Sequence, residues 1–240
     1  MSNHLKRLTT PDSWRIARKA NTFVTKTAPG PHTAHAMPIA VWLRDHMGTA
    51  RTMKEVKKIL TDRAVMVNGK ICTNPKLGIG VFDIISIPKT DKHYRILLDK
   101  KGNFVSIAIS PEAAQTRLCK IRNKTVIPGG KVQLNLLYGA NVLADQQYKP
   151  KDSIVLSLGK DDHFTIVDHF PFAVGNMAMV IGGRHSGKVG RLTEIREVPG
   201  STPNRVVLEG ENGEQFDTIE GYVFMVGREK PAVSEWGIEQ

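Results

Sequence analysis

Residues 52–73, TMKEVKKILTDRAVMVNGKICT, decide the fold of the first half of the chain. Thr52 and Glu55 predict a capping box, in which a hydroxyl and a carboxylate each accept a free N–H at the start of a helix. Apolar residues then recur at helical spacing and predict one buried stripe. Asn68-Gly69, between two short β-prone runs, predicts a hairpin with a two-residue turn. The stretch therefore encodes a short amphipathic helix followed directly by a hairpin.

The helix face opposite the apolar stripe is basic. Lys54, Lys57 and Lys58 stand at i, i+3 and i+4, where three ammonium groups repel one another. A solvated face and a contact with a polyanion both explain such a stripe. The hairpin that follows carries Arg63 and Lys70, which favours the contact with a polyanion.

The segment before this stretch is a basic arm. Residues 1–36 mix basic side chains with prolines and show little hydrophobic periodicity, so we expect an arm that becomes ordered on a nucleic-acid surface. A short helix is predicted over residues 13–20. Pro38 and Gly48 mark the limits of a further predicted helix.

The charge balance indicates a polyanionic partner. The chain has 34 Lys and Arg against 23 Asp and Glu, a net charge of +11, with a pI near 9.7. Residues 1–175 hold 27 basic and 13 acidic side chains (+14), whereas residues 176–240 hold 7 and 10 (−3). We therefore expect nucleic acid as the partner, and the first three quarters as the main contact.

Other composition signals exclude several classes of protein. Cys72 and Cys119 are too few for a disulfide framework or a zinc ribbon, and the histidines show no metal-ligand spacing. The chain start lacks the apolar core of a signal peptide, and no apolar run reaches the roughly 18 residues that span a bilayer. We expect a cytoplasmic protein without a cofactor or metal ion.

The middle of the chain, residues 89–172, is predicted to be mainly strands punctuated by prolines. Two of these strands, over 94–98 and 103–109, flank a turn at 99–102. Two further strands are predicted over 131–137 and 153–158. A second basic cluster, formed by Lys120, Arg122, Lys124 and Lys131, is either a solvated loop or an RNA contact.

Residues 181–190, IGGRHSGKVG, contain G-x-x-x-x-G-K, which is nearly the phosphate-binding loop of nucleotide hydrolases. That loop needs Ser or Thr where Val189 stands, and a helix that begins at its lysine. Residues 192–198 instead mix β-branched and charged residues before Pro199-Gly200. Strands predicted over 205–209, 215–218 and 222–226 favour a small closed barrel in which these glycines shape a turn.

Three groups of motifs resemble known families. Residues 38–88, with VNGK at 67–70 and GVFDIISI at 80–87, resemble the S4-type RNA-binding domain, or alpha-L motif. Gly183, Gly187 and Gly190, spaced as G-x-x-x-G-x-x-G, resemble the KOW module. The order of these modules is similar to that of the ribosomal S4e family of archaea and eukaryotes, and the similarity covers nearly all 240 residues.

Further residues support that family resemblance. The pattern His4-x-Lys6-Arg7-Leu8-x-x-Pro11-x-x-Trp14, the triplet Gly30-Pro31-His32 and LCKIRNK at 118–124 are typical of it. Thr9 departs mildly from the opening pattern. The resemblance implies a multidomain, mostly β, α+β protein: a basic N-terminal extension (1–36), an S4-type RNA-binding domain (37–88), a central β domain (89–172), an SH3-like KOW barrel (173–228) and a tail (229–240).

The resemblance also implies a structural role in the small ribosomal subunit. Expected partners are small-subunit rRNA and neighbouring ribosomal proteins, with no membrane, no nucleotide substrate and no stable homo-oligomer. Asn68 and Gly69 shape the hairpin turn. The candidate RNA contacts are His4, Lys6, Arg7, Arg15, Arg18, Lys19, His32, Arg44, Arg51, Lys54, Lys57, Lys58, Arg63, Asn68, Lys70, Lys120, Arg122, Lys124, Arg184, His185, Lys188 and Arg191.

Two other functions use the same modules. S4-type domains also accompany RNA-modifying enzymes, but residues 89–240 show only scattered aspartates in turn-like segments and no committed acid or nucleophile. A free translational or transcriptional regulator would carry the same RNA-binding modules. The ribosomal function is the prediction, and the regulator and the enzyme are the alternatives.

Overall fold

The computed structural model describes residues 3–32, 36–144, 147–159, 164–210, 212–230 and 232. The predicted tail at 229–240 thus lies mostly outside the described residues. The chain divides into two compact units, which are described separately. The first comprises Met1–Ile96 with Asn103–Gln115, and the second comprises Leu97–Gly102 with Thr116–Gln240. Strands dominate both units, as the sequence predicts.

The basic arm is part of the first unit and is folded. Its strands β1 (Leu5–Lys6) and β2 (Phe23–Val24) pair antiparallel, and Trp14 between them is only 2% exposed. The prediction of a helix over residues 13–20 is wrong. A single 3-10 turn spans Asp12–Trp14, and Arg15 ends it in the left-handed region at φ 48°.

Two short helices follow the arm, as predicted. The first, α1 (Ile39–Val41), begins after Pro38 and continues as a π-helical turn over Trp42–His46. The second, α2 (Met53–Thr61), buries Val56 and Leu60, and places its polar side chains outward. Strand β3 (Met37–Pro38) precedes α1 and pairs with β6 (Gly78–Ile79).

The predicted hairpin forms with the expected turn. Met66 pairs with Ile71 and Val67 with Lys70, and the turn residues Asn68 and Gly69 both have positive φ, at 50° and 77°. Such a turn matches the right-handed twist of the flanking strands. These strands, β4 (Met66–Val67) and β5 (Lys70–Ile71), belong to one sheet, ordered β5-β4-β7-β8-β9, with β7 (Ile84–Ile87), β8 (Lys92–Leu98) and β9 (Phe104–Ile109).

Within GVFDIISI at 80–87, only the last four residues form a strand. Phe82 adopts a left-handed conformation at φ 64°, so the extended chain begins only at Ile84. Asp83, in the same turn, is 1% exposed and makes the hydrogen bonds described below.

The second unit contains two antiparallel sheets. The first buries Ile121, Leu134, Ile154 and Leu156 completely. Residues 118–124 lie within strand β10, so the predicted alternative of a solvated loop is wrong for Lys120, Arg122 and Lys124, whereas Lys131 is exposed just before β11. This sheet is ordered β12-β11-β10-β13-β14, from β10 (Thr116–Val126), β11 (Val132–Leu136), β12 (Asn141–Ala144), β13 (Ser153–Ser157) and β14 (Ile166–Phe170).

The second sheet follows the strands predicted for the C-terminal quarter. A strand, and not a helix, follows Lys188, which rules out the geometry of a nucleotide-binding loop. The sheet is ordered β18-β17-β16-β15-β19, from β15 (Met177–Val180), β16 (Val189–Arg196), β17 (Arg205–Glu209), β18 (Gln215–Ile219) and β19 (Val223–Gly227).

Two further observations concern the cysteines and the length of the helices. Cys72 and Cys119 are both buried thiols, and desolvation raises the pKa of Cys72. Within the described residues, no helix is long and apolar enough to cross a membrane.

Candidate RNA-binding surfaces

The basic face of α2 is built as the sequence predicts. Lys54, Lys57 and Lys58 are exposed. The Thr52 hydroxyl accepts the Glu55 N–H at 3.3 Å. The Glu55 carboxylate accepts the Arg51 N–H at 2.7 Å, and this backbone hydrogen bond, followed by those with Thr52, lowers the pKa of Glu55. The helix thus presents three lysine side chains from a capped, fixed backbone.

The hairpin turn is held by a buried carboxylate. Asn68 Nδ2 donates to Asp83 Oδ1 at 2.9 Å, while Asn68 Oδ1 accepts the Ile84 N–H at 2.9 Å. The second oxygen, Asp83 Oδ2, accepts the Gly80 N–H at 2.9 Å and lies 2.8 Å from His32 Nε2. A side chain at Gly80 would collide with the His32 ring, since its Cβ would lie 2.2 Å from Nδ1. His32 and Asn68 thus both contact the buried Asp83 carboxylate inside the protein.

Arg7 also faces inward. Its side chain donates to the Asp45 carboxylate at 3.1 Å and to the Ala17 carbonyl, and the residue is 3% exposed. Nearby, a ring nitrogen of His46 lies 2.6 Å from the Trp14 carbonyl oxygen. These bonds tie the arm to the segment that contains α1.

The remaining arm residues differ in their surroundings. Arg18 bonds the Asp12 carboxylate and donates to the Thr10 carbonyl at 3.1 Å. The His4 ring packs edge-on against Phe23, with 5.4 Å between ring centroids. Lys6, Arg15 and Lys19 are exposed, so they are the arm residues best placed to meet a phosphate.

Lys120 is the one fully interior member of the second basic cluster. Its ammonium group donates to the carbonyls of Glu220 at 3.1 Å and Val223 at 2.7 Å, and lies 5.7 Å above the Phe224 ring. Desolvation by burial lowers the pKa of Lys120 to about 8, although the Glu220 carboxylate opposes the shift. The side chain therefore joins β10 to the chain around the start of β19.

The loop between β15 and β16 is a compact turn covered by an aromatic ring. A Cβ at Gly182 would lie 2.8 Å from the Tyr222 ring, so this position requires glycine. On the other side of the loop, Lys188 Nζ lies 5.2 Å from the centroid of the Phe216 ring. The loop thus holds Lys188 against an aromatic ring of the same sheet, while Arg184 is exposed.

Three accessible residues near this loop were not among the predicted contacts. Lys100 and Lys101 are exposed on the turn at 99–102, and the Tyr222 ring is 38% exposed. The turn itself is visible in the sequence, but its closeness to the loop depends on contacts between residues far apart in the chain.

Comparison with known proteins identifies the family. The model of the ribosomal family S4e matches residues 90–162, and the RS4NT domain matches residues 1–35. The small ribosomal subunit protein eS4 of Methanospirillum hungatei is 59% identical over 241 residues, which cover 100% of both chains. The chain belongs to the ribosomal S4e family.

More distant S4e proteins match over almost the same length. The protein eS4 of Archaeoglobus fulgidus is 41% identical and covers 96% of this chain and 97% of that one. The crystal structure of the 30S ribosomal protein S4e from Thermoplasma acidophilum has a TM-score of 0.67 at 26% identity, and the match covers 81% of this chain and 96% of that chain. The predicted family is thereby confirmed.

The predicted RNA contacts of this S4e chain divide by exposure. Arg7, His32 and Lys120 are buried, which argues against direct contact with RNA. Partly buried are Arg18, Arg44, Asn68, Lys124, His185 and Lys188. Exposed are His4, Lys6, Arg15, Lys19, Arg51, Lys54, Lys57, Lys58, Arg63, Lys70, Arg122, Arg184 and Arg191.

Proposed function

We propose that this chain is a structural constituent of the small ribosomal subunit that binds small-subunit rRNA through phosphate and shape contacts. The observation that carries the proposal is its 59% identity, over the full length of both chains, to a small ribosomal subunit protein. The net charge of +11 and the exposed lysines and arginines suit a phosphate backbone, whose neutralisation releases counterions.

The S4e family is a family of ribosomal structural proteins, so the chain is not an enzyme. The alternative of an RNA-modifying enzyme is therefore set aside. The regulator alternative shares every RNA-binding surface with the ribosomal function, and only the location of the protein in the cell distinguishes the two.

The finer domain assignment is part of the proposal. We infer that residues 37–88 form the S4-type RNA-binding domain and residues 173–228 form the KOW module. The capped α2, followed by a hairpin with an Asn68-Gly69 turn, supports the first assignment. The glycine-rich loop between two antiparallel strands supports the second. The arm at 1–36, the central domain at 89–172 and the tail at 229–240 complete the division.

We also propose that the chain contacts neighbouring ribosomal proteins. The sheet of residues 177–227 belongs to the acidic quarter of the chain, which is better suited to a protein neighbour than to RNA over most of its surface. A stable homo-oligomer is not part of the proposal, because a subunit constituent is expected once per subunit.

Co-sedimentation tests the proposal directly. Ribosomal subunits from cells that express the tagged chain would be washed in high salt and separated on a sucrose gradient. We expect near-stoichiometric tagged protein in the small-subunit peak, because many phosphate and shape contacts act together there. Loss of the protein into the soluble fraction would support the regulator instead.

A further inference from the structure

We propose that the loop at 181–188 and the turn at 99–102 form one composite surface that binds the phosphate groups of an RNA strand. The inference rests on the proposed function and deepens it, because it adds Lys100 and Lys101 to the loop and assigns RNA, not protein, as the partner there. Both segments belong to the second compact unit.

The two segments touch through their backbones. A Cβ at Gly187 would lie 2.0 Å from the carbonyl oxygen of Asp99 and 3.1 Å from that of Leu98. A Cβ at Gly102 would lie 3.3 Å from the Ser186 Cβ. Gly187 therefore allows a closer approach than a side chain at that position would permit, a side chain at Gly102 would be tight, and the turn lies directly against the loop.

Each segment is fixed internally by hydrogen bonds. In the loop, the Gly187 N–H donates to the Val180 carbonyl at 2.7 Å, and the Lys188 N–H donates to the His185 carbonyl at 3.1 Å. In the turn, the Gly102 N–H donates to the Asp99 carbonyl at 2.9 Å. The cations of both segments thus project from ordered backbone, which reduces the entropy lost when a ligand binds.

The turn supplies positive charge where the loop alone has little. Residues 176–240 carry a net charge of −3, and Lys188 Nζ lies 3.7 Å from the Glu214 carboxylate. The turn adds two exposed lysines, Lys100 and Lys101, to a loop that carries exposed Arg184. The only carboxylate of residues 99–102 belongs to Asp99, which is buried at 7% exposure. Its Oδ1 accepts the Lys101 N–H at 2.8 Å.

An aromatic face at the other end of the loop favours RNA over an acidic protein. The Tyr222 ring lies against Gly182 and Gly183, and the residue is 38% exposed. Cations that follow a phosphate backbone beside an exposed ring that can stack on a base are the combination used to bind single-stranded nucleic acid. The composite surface therefore suits an unpaired rRNA strand.

Charge removal tests the surface on the full-length chain. The probe is a small-subunit rRNA transcript, and binding is measured over a range of salt concentrations. Lys100→Ala/Lys101→Ala should weaken binding on the order of tenfold at 0.1 M salt and reduce the salt slope by about 1.4, since each phosphate contact on a single strand contributes about 0.7. Lys89→Ala/Lys92→Ala removes the same charge from two other exposed positions and should have a smaller effect.

A second variant separates the two segments without removing charge. Gly187→Ala introduces the collision with Asp99, whereas Gly183→Ala has a similar positive φ, 77° against 83°, with its nearest contact at an ordinary 3.5 Å. Gly187→Ala should lose RNA affinity to an extent similar to the Lys100/Lys101 variant, and Gly183→Ala should retain more. If Gly187→Ala does not fold, the lysine variant decides the question.

The outcomes separate this inference from the proposed function. Binding of the Lys100/Lys101 variant equal to that of the Lys89/Lys92 control would overturn the composite surface, even while the wild type binds rRNA and enters subunits. Unchanged RNA binding with lost incorporation would identify a protein partner and also overturn it. Failure of the wild type to bind rRNA or to enter subunits would instead refute the proposed function.

Discussion

At the scale of single residues, Lys120 shows that a lysine in a basic cluster can serve the protein interior. Sequence spacing groups it with Arg122 and Lys124, yet only Lys120 is buried, at 6% exposure. Its backbone acceptors lie about 100 residues further along the chain, at Glu220 and Val223. The side chain therefore crosslinks distant parts of the second unit.

Replacing this lysine should destabilise the protein. Lys120→Met retains the aliphatic stem but leaves the carbonyls of Glu220 and Val223 without their donor, which costs about 1–3 kcal/mol in the free energy of unfolding. Urea denaturation followed by circular dichroism measures the change. Lys124→Met, which alters a less buried lysine on the same strand, is the control, and an equal effect in both variants would contradict the structural role.

The same residue should give the wild type a distinct pH dependence. Burial lowers the pKa of folded Lys120 to about 8, from an ordinary value of 10.5 in the unfolded chain. Between these values the unfolded state holds more protons, so this residue makes the free energy of unfolding rise with pH. The difference between wild type and Lys120→Met should therefore grow from pH 8 to 10.5, as measured by unfolding at each pH.

At the scale of elements, α2 separates its buried apolar face from its exposed basic face. Val56 and Leu60 are buried. Lys54, Lys57 and Lys58 are exposed, and none of them makes a hydrogen bond or ion pair among the described contacts. The lysines can therefore be changed without removing packing.

Removal of the three lysines should weaken RNA binding while the fold is retained. Lys54→Ala/Lys57→Ala/Lys58→Ala should lower affinity for a small-subunit rRNA transcript and flatten the salt slope by up to about three, since fewer counterions are released. Filter binding across salt concentrations measures both quantities. Unchanged melting temperature provides the control for folding, and unchanged affinity and slope would show that α2 does not touch RNA.

Elements whose signals are local could be predicted from the sequence. The cap of α2 joins Thr52 to Glu55, and the hairpin turn needs only Asn68-Gly69, so a short window contains the information. Residues whose roles depend on distant partners could not be predicted. Arg7 reaches Asp45, 38 residues away, and the place of the Lys100-Lys101 turn beside the loop depends on the contact between Asp99 and Gly187, 88 residues apart (187 − 99).

At the scale of the whole molecule, the chain has two compact units. Trp14 and Trp42 are buried in the first unit, at 2% and 0% exposure. Tryptophan fluorescence therefore reports mainly on that unit, whereas circular dichroism reports on strands in both. The third tryptophan, at position 236, lies outside the described residues.

The two signals should report different unfolding transitions in the Lys120→Met variant. The substitution weakens the second unit, so the circular dichroism midpoint in urea should fall more than the fluorescence midpoint, a departure from two-state behaviour. Trp236→Phe in the same background removes the third fluorophore as a control. Midpoints that fall together would show that the two units unfold cooperatively.

The buried carboxylate of Asp83 links the sequence motifs by which such proteins are recognised. It bonds Asn68 of the VNGK turn, His32 of the Gly30-Pro31-His32 triplet and the backbone of Gly80, so three separated signatures meet at one buried group. A change at one of these positions alters the requirements at the others, and we expect the family's members to vary there in concert. The motifs that are easiest to recognise in the sequence thus contain residues that meet at one buried carboxylate inside the protein, whereas the exposed lysines of α2 have no such shared partner among the described contacts.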